Sequence, residues 1–373
     1  MKILILSCSI GGGHDAAAHA VEKELLKRNH QVIFKDTYQI VNKQSGTFFE
    51  KSYIKMVQYI PFLFGLIYHL ADSYYRLPFR TPVFWLNKRF SKKMLSYLQK
   101  ENFDFIVMTH MFPAQIMCCI KEKGITIPAQ MYVTTDYTCL PLMEESDCDF
   151  YIIPVEDMIS EFIKKGLPED RLYPLGIPVS NEFYDTINKE EACKMLNLQS
   201  DTKYILLTGG SMGAGKIKIA VETILSEIKY HDEYKLIVIC GNNKKLLSAL
   251  SNKYKDNKQI KVIARTDKMH VYLKACDMFI TKPGGLSSTE AAVSGIPTIH
   301  ISPIPGCEEK NADYFQKKNW SIYVKNPEDN LKEAVHTLED KDTRNVMRKS
   351  QRAVYRKQAA VKICDLIENC RNS

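Results

Sequence analysis

With 373 residues, 45% of them hydrophobic and 25% charged, the chain is long enough for two globular domains, each with its own core. It contains no low-complexity segment or repeat, and no apolar run approaches the roughly 20 residues that cross a bilayer, which excludes disordered, fibrous and helical membrane-spanning classes. The 11 cysteines include no CxxC pair, and the opening Met-Lys-Ile-Leu-Ile-Leu leads straight into a glycine turn, as a first buried strand does. Reduced thiols and a cytosolic setting are expected.

In chain order, a strand at Lys2–Ser7 is followed by Gly11-Gly12-Gly13-His14-Asp15-Ala16, a helix over Asp15–Arg28 and a strand at Gln31–Lys35. Gly11, Gly13 and Ala16 satisfy a GxGxxA dinucleotide fingerprint, with Asp36 at the end of the second strand, so a nicotinamide or flavin protein is one alternative. Against it, the second half carries its own phosphate loop and acid. His14 sits at a strand-to-helix turn, where a group with an ordinary pKa near 6.5 suits proton removal from an alcohol. The same position also suits a phosphate or headgroup contact.

The excess of positive charge is concentrated next. Between Phe48 and Lys93 eight basic residues face two acids, six of the net +8, and thirteen aromatic residues are interleaved with them. Phe62, Phe64, Trp85, Arg80, Lys88 and Arg89 stand out as candidates for a membrane interface, where rings sit among headgroups and cations meet anionic lipid. A helical subdomain with an aromatic core and a solvated basic face would have the same composition. No nucleic-acid module accompanies the segment.

A helix near Lys92–Lys100 and strands at Phe105–Met108, Gln130–Val133 and Tyr151–Pro154 continue the alternation, and Leu175–Val179 is expected as the last strand before a linker. His110, after one of these strands, could line an acceptor pocket, or equally cap a helix or pack in the core. Asp136, after another, is a second candidate base or a partner that orients His14. Asp147-Cys148-Asp149 has the form of a DxD metal motif, but it precedes a strand and has no supporting cluster, so no metal site is expected.

The second half restarts the pattern with strands at Tyr204–Thr208, Lys235–Ile239, Ile260–Ile263, Met278–Ile280 and Thr298–Ile301, and a helix after Gly215. Gly210-Ser211-Met212-Gly213-Ala214-Gly215-Lys216 almost spells a P-loop, but Ile217 stands where Ser or Thr would hold Mg²⁺, which turns the reading away from an NTPase. Gly210, Ser211 and Gly213 are then diphosphate contacts. The run Lys282-Pro283-Gly284-Gly285 brings backbone amides to the start of a helix, a site for phosphate, with Ser287 in its first turn. Glu290, a turn and a half later, can accept hydrogen bonds from a ribose diol.

Together with Gly11–His14, Gly209–Gly215 and Pro305-Gly306-Cys307-Glu308-Glu309-Lys310-Asn311, this run resembles the GT-B glycosyltransferases. The branch is that of monogalactosyldiacylglycerol synthases, processive diacylglycerol glucosyltransferases and the MurG enzymes of glycosyltransferase family 28. The resemblance implies an α/β chain with two Rossmann-like domains facing across a cleft. An N-terminal acceptor domain would span 1–178 and a UDP-sugar domain 179–348, with the terminal helix, 349–373, returning to the first. It implies an inverting transfer of a hexose from a UDP-sugar to a lipid hydroxyl, most plausibly diacylglycerol, with Gly12, Gly13 and His14 toward the acceptor. No cofactor or obligatory metal is expected, and the enzyme would lie peripherally on the anionic inner face of the cell membrane. Glu308 and Asn311 resemble the residues that contact the donor sugar, but the usual glutamine before the glutamate is Cys307. A thiol cannot make the paired amide bonds that separate sugar epimers, so the sugar stays open. The rival readings are a UDP-sugar 2-epimerase and a non-catalytic lipid- or nucleotide-binding protein.

Overall fold

The structure, a computed structural model, describes residues 1–8, 12–41, 61–77, 79–355 and 358–370. Gly11 and the first part of the aromatic-basic segment, including Lys51 and Lys55, lie outside the described residues. The chain divides into two compact units. The first comprises Met1–Ser180, Pro305–Cys307 and Lys357–Ser373, and the second Asn181–Ile304 and Glu308–Arg356.

Unit 1 contains six parallel strands in the order β2-β1-β3-β4-β5-β6. They are β1 Lys2–Ser7, β2 Gln31–Asp36, β3 Phe105–Met108, β4 Ala129–Val133, β5 Phe150–Ile152 and β6 Leu172–Tyr173. Strands covered on both faces become nearly continuous apolar runs, and β1 and β3 are buried along almost their whole length. Ile3, Ile5, Val107, Met131 and Val133 pack with Val21 and Leu25 of helix Gly13–Lys27 and with Ile363 and Ile367 of helix Ala359–Asn369. Arg28 ties the two helices, bonding Glu24 on one and Asp365 and Glu368 on the other. The return to unit 1 starts at Lys357, while helix Lys341–Val354 belongs to unit 2.

The strand expected at Leu175–Val179 is not there. The sheet ends at Tyr173, because the Leu175 amide turns back to the Tyr173 carbonyl and Gly176 adopts a φ of 101°. A left-handed residue cannot continue a ladder, and Pro178 would give it no donor.

Unit 2 contains β7 Lys203–Thr208, β8 Tyr234–Ile239, β9 Ile260–Ile263, β10 Met278–Thr281, β11 Thr298–Ile301 and β12 Ile322–Val324. Their order is β12-β11-β10-β7-β8-β9, all parallel. Numbered within the unit and read from the β9 edge this is 3-2-1-4-5-6, the Rossmann order. Its core joins Ile205, Leu207, Val238, Ile280 and Ile299 to Val221 and Ile224 of helix Ile217–Ile228. Both sheets have a switch point, between β1 and β3 in unit 1 and between β7 and β10 in unit 2. Ligands of open parallel sheets bind outside the strand C-termini at such points.

Candidate active site

The loops at the two switch points carry the residues singled out from sequence. In unit 1, β1 leads through Gly12, φ 79°, into helix Gly13–Lys27, with His14 in its first turn. His14 Nδ1 lies 2.7 Å from the Thr109 carbonyl at the end of β3 and 3.1 Å from Thr135 Oγ1 beyond β4. A carbonyl only accepts, so Nδ1 carries the proton and Nε2 keeps its lone pair when the ring is neutral. Burial pulls the His14 pKa below its ordinary value, against the pull of Asp136, the Thr109 bond and Asp15. A histidine that is neutral at pH 7 with its distal nitrogen free is a competent base, and nearby Asp136 favours the imidazolium that would form.

His110 meets His14 edge to face, with ring centroids 4.7 Å apart. Its Nδ1 accepts from the Phe112 amide and caps helix Met111–Lys121, so capping, one of the roles expected for it, is the one seen. Burial, and then the neighbouring His14, hold its pKa well below the usual range. Thr109 and Thr135 were not singled out from sequence. Thr109 acts through its carbonyl, which any residue would supply.

The described part of the aromatic-basic segment forms helix Pro61–Ser73 and helix Pro82–Lys88. Phe62 is 83% exposed and Trp85 55%, and Leu66, Ile67, Leu70 and Phe79 are exposed with them. Phe64 is half-buried, and Tyr68 and Phe84 are buried, so the segment has both a core and an apolar outer face. Arg89 is exposed, Lys88 lies over the Trp85 ring, and Arg80 is tied to Glu122 at 3.1 Å and stacked on Phe84. Helix Pro82–Lys88 is anchored from beneath. Buried Glu145 accepts from Thr81 Oγ1 at 2.6 Å and from Gln115 Nε2 at 2.9 Å, and Gln115 in turn accepts from Asn87.

In unit 2, β7 ends in Gly209-Gly210-Ser211-Met212-Gly213, folded tightly on itself and against the turn after β8. A Cβ at Gly213, φ 56°, would stand 2.2 Å from the Cys240 carbonyl oxygen, so only glycine fits. Lys282, following β10, passes beside Gly210, where a Cβ would be 3.0 Å from its Cε, and pairs with Glu308. Glu308 Oε2 accepts from the Ile304 amide at 2.9 Å, and Asn311 Nδ2 donates to the Pro283 carbonyl at 3.0 Å. The loop glycines, Lys282, Gly284, Glu308 and Asn311 therefore meet at one edge of the sheet.

Helix Gly285–Ser294 starts there with no side chain capping its first turn, leaving the amides around Gly285 and Ser287 for an anion. It is pinned to the sheet by His300, which bonds Ser288 through Nε2 and Ser321 through Nδ1, each at 3.0 Å. Burial lowers the His300 pKa to about 3, so it is a neutral bridge. On the same helix Glu290 is half-buried, and burial pushes its pKa up to about 8.

The Asp147-Cys148-Asp149 carboxylates are committed to structure. Asp147 pairs with Arg171 at 2.7 Å, and Asp149 pairs with Lys121 and accepts from the Gln130 amide. Among the described residues no group of three or more His, Cys, Asp or Glu is placed to hold a metal ion.

Residues 14–179 match the monogalactosyldiacylglycerol (MGDG) synthase family, and residues 204–364 the glycosyltransferase family 28 C-terminal domain. Processive diacylglycerol beta-glucosyltransferases of Staphylococcus epidermidis and Staphylococcus carnosus are 28% and 27% identical, over 93% and 97% of this chain and 87% and 91% of theirs. Among solved structures, Acinetobacter baumannii MurG superposes with a TM-score of 0.63 at 14% identity, covering 99% of both chains. A Neisseria meningitidis UDP-GlcNAc 2-epimerase superposes with 0.64 at 13% identity, covering 99% of this chain and 100% of that one. The fold and the paired matches define a glycosyltransferase of the GT-B class. Residues 14–179 thus carry an MGDG synthase domain and residues 204–364 a family 28 C-terminal domain, and over most of its length the chain is similar to processive diacylglycerol glucosyltransferases.

Proposed function

We propose that the chain transfers a hexose, glucose or galactose, from a UDP-sugar to the free hydroxyl of diacylglycerol, with inversion at the anomeric carbon. The observation that carries this reading is the presence in one chain of two sets of residues, one in each unit. One is a neutral histidine with a free Nε2 at the unit 1 switch point, and the other a set of glycine-loop amides and Lys282 at the unit 2 switch point. His14 Nε2 takes the proton as the acceptor oxygen bonds the anomeric carbon and the bond to UDP breaks, its electron pair leaving with the β-phosphate. Asp136 stabilises the imidazolium. The transition state has oxocarbenium character, as in glycoside hydrolysis. Negative charge growing on the diphosphate is met by the amides around Gly210, Ser211, Gly213, Gly284, Gly285 and Ser287 and by Lys282. Glu290 accepts from the ribose hydroxyls, while Glu308 and Asn311 face the sugar. Donor binding then exchanges the Lys282–Glu308 pair for contacts with diphosphate and sugar.

These cations and amides supply the charge that a metal supplies in other transferases, so turnover is expected to persist in chelator. Loss of turnover in chelator, restored by a divalent ion, would overturn that point. The acceptor is a membrane lipid. Among the described residues no helix is long and apolar enough to cross a bilayer, and helix Pro61–Ser73 spans only about 20 Å. Its exposed apolar stripe, in a segment that also carries Arg76, Lys88 and Arg89, suits an in-plane seat on the anionic inner face of the membrane.

Folds shared with both MurG and a 2-epimerase do not separate transfer from epimerisation, but the family matches and the outward aromatic face favour transfer to lipid. Radiolabelled UDP-glucose and UDP-galactose, each with and without diacylglycerol vesicles, test this. Glycolipid formed only with vesicles supports the transferase, and conversion of the sugar nucleotide without lipid would sink it.

A further inference from the structure

The helix that begins at the donor loop ends at Gly295, φ 70°, about 15 Å away. That far end opens on a second cavity, of about 680 Å³, lined by Lys274, Ser294, Gly295, Arg348 and Arg352, with Asp185 as its acid. Lys274 Nζ donates to the Ser294 carbonyl and Arg348 Nε to the Gly295 carbonyl, each at 3.2 Å. The Arg352 guanidinium lies over Gly295, where a Cβ would be 3.5 Å from its Nε.

Capping the helix does not account for this many cations. A helix C-terminus carries roughly half a negative charge, and two cations already cover its carbonyls. The Arg352 side chain forms no hydrogen bond or ion pair with any described residue, and none of the three side chains is paired with a carboxylate within ion-pair distance among the described residues. The Ser294 hydroxyl, buried in the same wall, has no hydrogen-bond partner either. Burial and then the charge of Arg352 lower the Lys274 pKa against a pull from Asp185, and burial, Arg344 and Arg352 lower that of Arg348 against a pull from Asp277, so burial and the crowding of cations outweigh the nearby acids.

We propose that this cavity is an anion site for a phosphate monoester, separate from the donor diphosphate site at the other end of the same helix. Arg348 and Arg352 supply charge-assisted N–H donors, and Ser294 supplies the hydroxyl that the ester's oxygen satisfies. The ester could arrive as a soluble phosphate or as a phosphatidic acid headgroup, and both carry the same dianionic group.

The test uses the full chain, with UDP added to fill the donor site. Inorganic phosphate is titrated in by calorimetry, and binding to phosphatidylcholine vesicles is compared with and without phosphatidic acid. Arg352→Ser is expected to weaken one of the two arms by about tenfold. Arg352→Lys should keep most of the binding, and Ser294→Ala should weaken it several-fold. Unchanged UDP affinity and melting temperature show that the variants are folded. Loss in the phosphate arm identifies a soluble ester, and loss only with phosphatidic acid vesicles a lipid headgroup. Indifference of both arms to Arg352→Ser overturns the proposal. Should UDP itself fail to bind, the donor-site reading fails, while the Arg352 dependence can still be read without it.

Discussion

The two switch points are built from different chemistry. Unit 2 offers backbone: glycine loops packed so tightly that a single Cβ collides with a carbonyl, and a helix whose first turn has no side-chain cap. Unit 1 offers side chains: a histidine held by a carbonyl and a threonine, and helices that present phenylalanine and tryptophan outward. A diphosphate is a fixed, charged shape that preorganised dipoles fit well. A lipid offers one reactive hydroxyl on a fluid surface, which needs a movable proton acceptor and an apolar seat.

The comparison breaks first at His14. His14→Ala should lower kcat by about a hundred- to ten-thousand-fold while UDP affinity stays within a few-fold of wild type. In the intact enzyme kcat at saturating donor should be flat above pH 6.5 and fall in acid, because the base works neutral and its pKa lies below 6.5. Steady-state kinetics across pH, with calorimetry for UDP, check both. Equal kcat in the variant would pass the base role to Asp136.

Gly213→Ala attacks the other half. A left-handed residue that also collides with the Cys240 carbonyl should cost about 2–4 kcal/mol of stability and remove most UDP-sugar binding. Gly124→Ala is the control, since Gly124 has a φ of 72° but nothing within 4 Å of its Cβ, and about 1 kcal/mol is expected there. Chemical denaturation of both variants separates collision from backbone strain. Similar losses would mean that the donor loop is less tightly built than its geometry indicates.

Much of this was legible in the sequence because strands buried on both faces and glycine turns leave local signals. β1, β3, β9 and β11 fall where the apolar runs place them. Short edge strands do not. β12 has three residues, only one of them fully buried, and β6 was misplaced because the Leu-Gly-Ile-Pro-Val run looks like a strand while Gly176 turns it away. The glycine loops were readable from their spacing, whereas the groups that pack against them were not. His300 reads as one polar residue in a strand, and its bridge between Ser288 and Ser321 joins positions 12 and 21 residues away. Thr109 contributes a carbonyl, to which sequence is blind.

The apolar face of unit 1 should matter less than His14 and only at membranes. Replacing both Phe62 and Trp85 by Ser removes large exposed rings, and vesicle partitioning should fall by at least about tenfold. Activity on a detergent-dispersed short-chain diacylglycerol should hardly change. Flotation with anionic and neutral vesicles, alongside that assay, would show whether the face is a membrane seat. An equal loss in both assays would instead make these rings part of the fold or of the acceptor pocket.

The smallest expected effect lies in unit 2 and concerns Glu290. Its pKa of about 8 means that the free protein holds this carboxyl largely protonated at neutral pH, so folding stability contributed here declines as pH rises from about 4.5 toward 8. Ribose hydroxyls donate to a carboxylate, so the bound state favours the charged form and binding releases a proton. UDP-glucose has no phosphate group titrating near neutrality, and its affinity should therefore rise with pH up to about 8 and then level off. The slope can reach at most about tenfold per pH unit, the limit for one released proton. Calorimetry in buffers of different ionisation enthalpy counts that proton directly, and Glu290→Gln should abolish both the release and the slope. If the slope survived in Glu290→Gln, the titrating group would lie elsewhere and the backbone loops would bind the donor without an acid at the ribose.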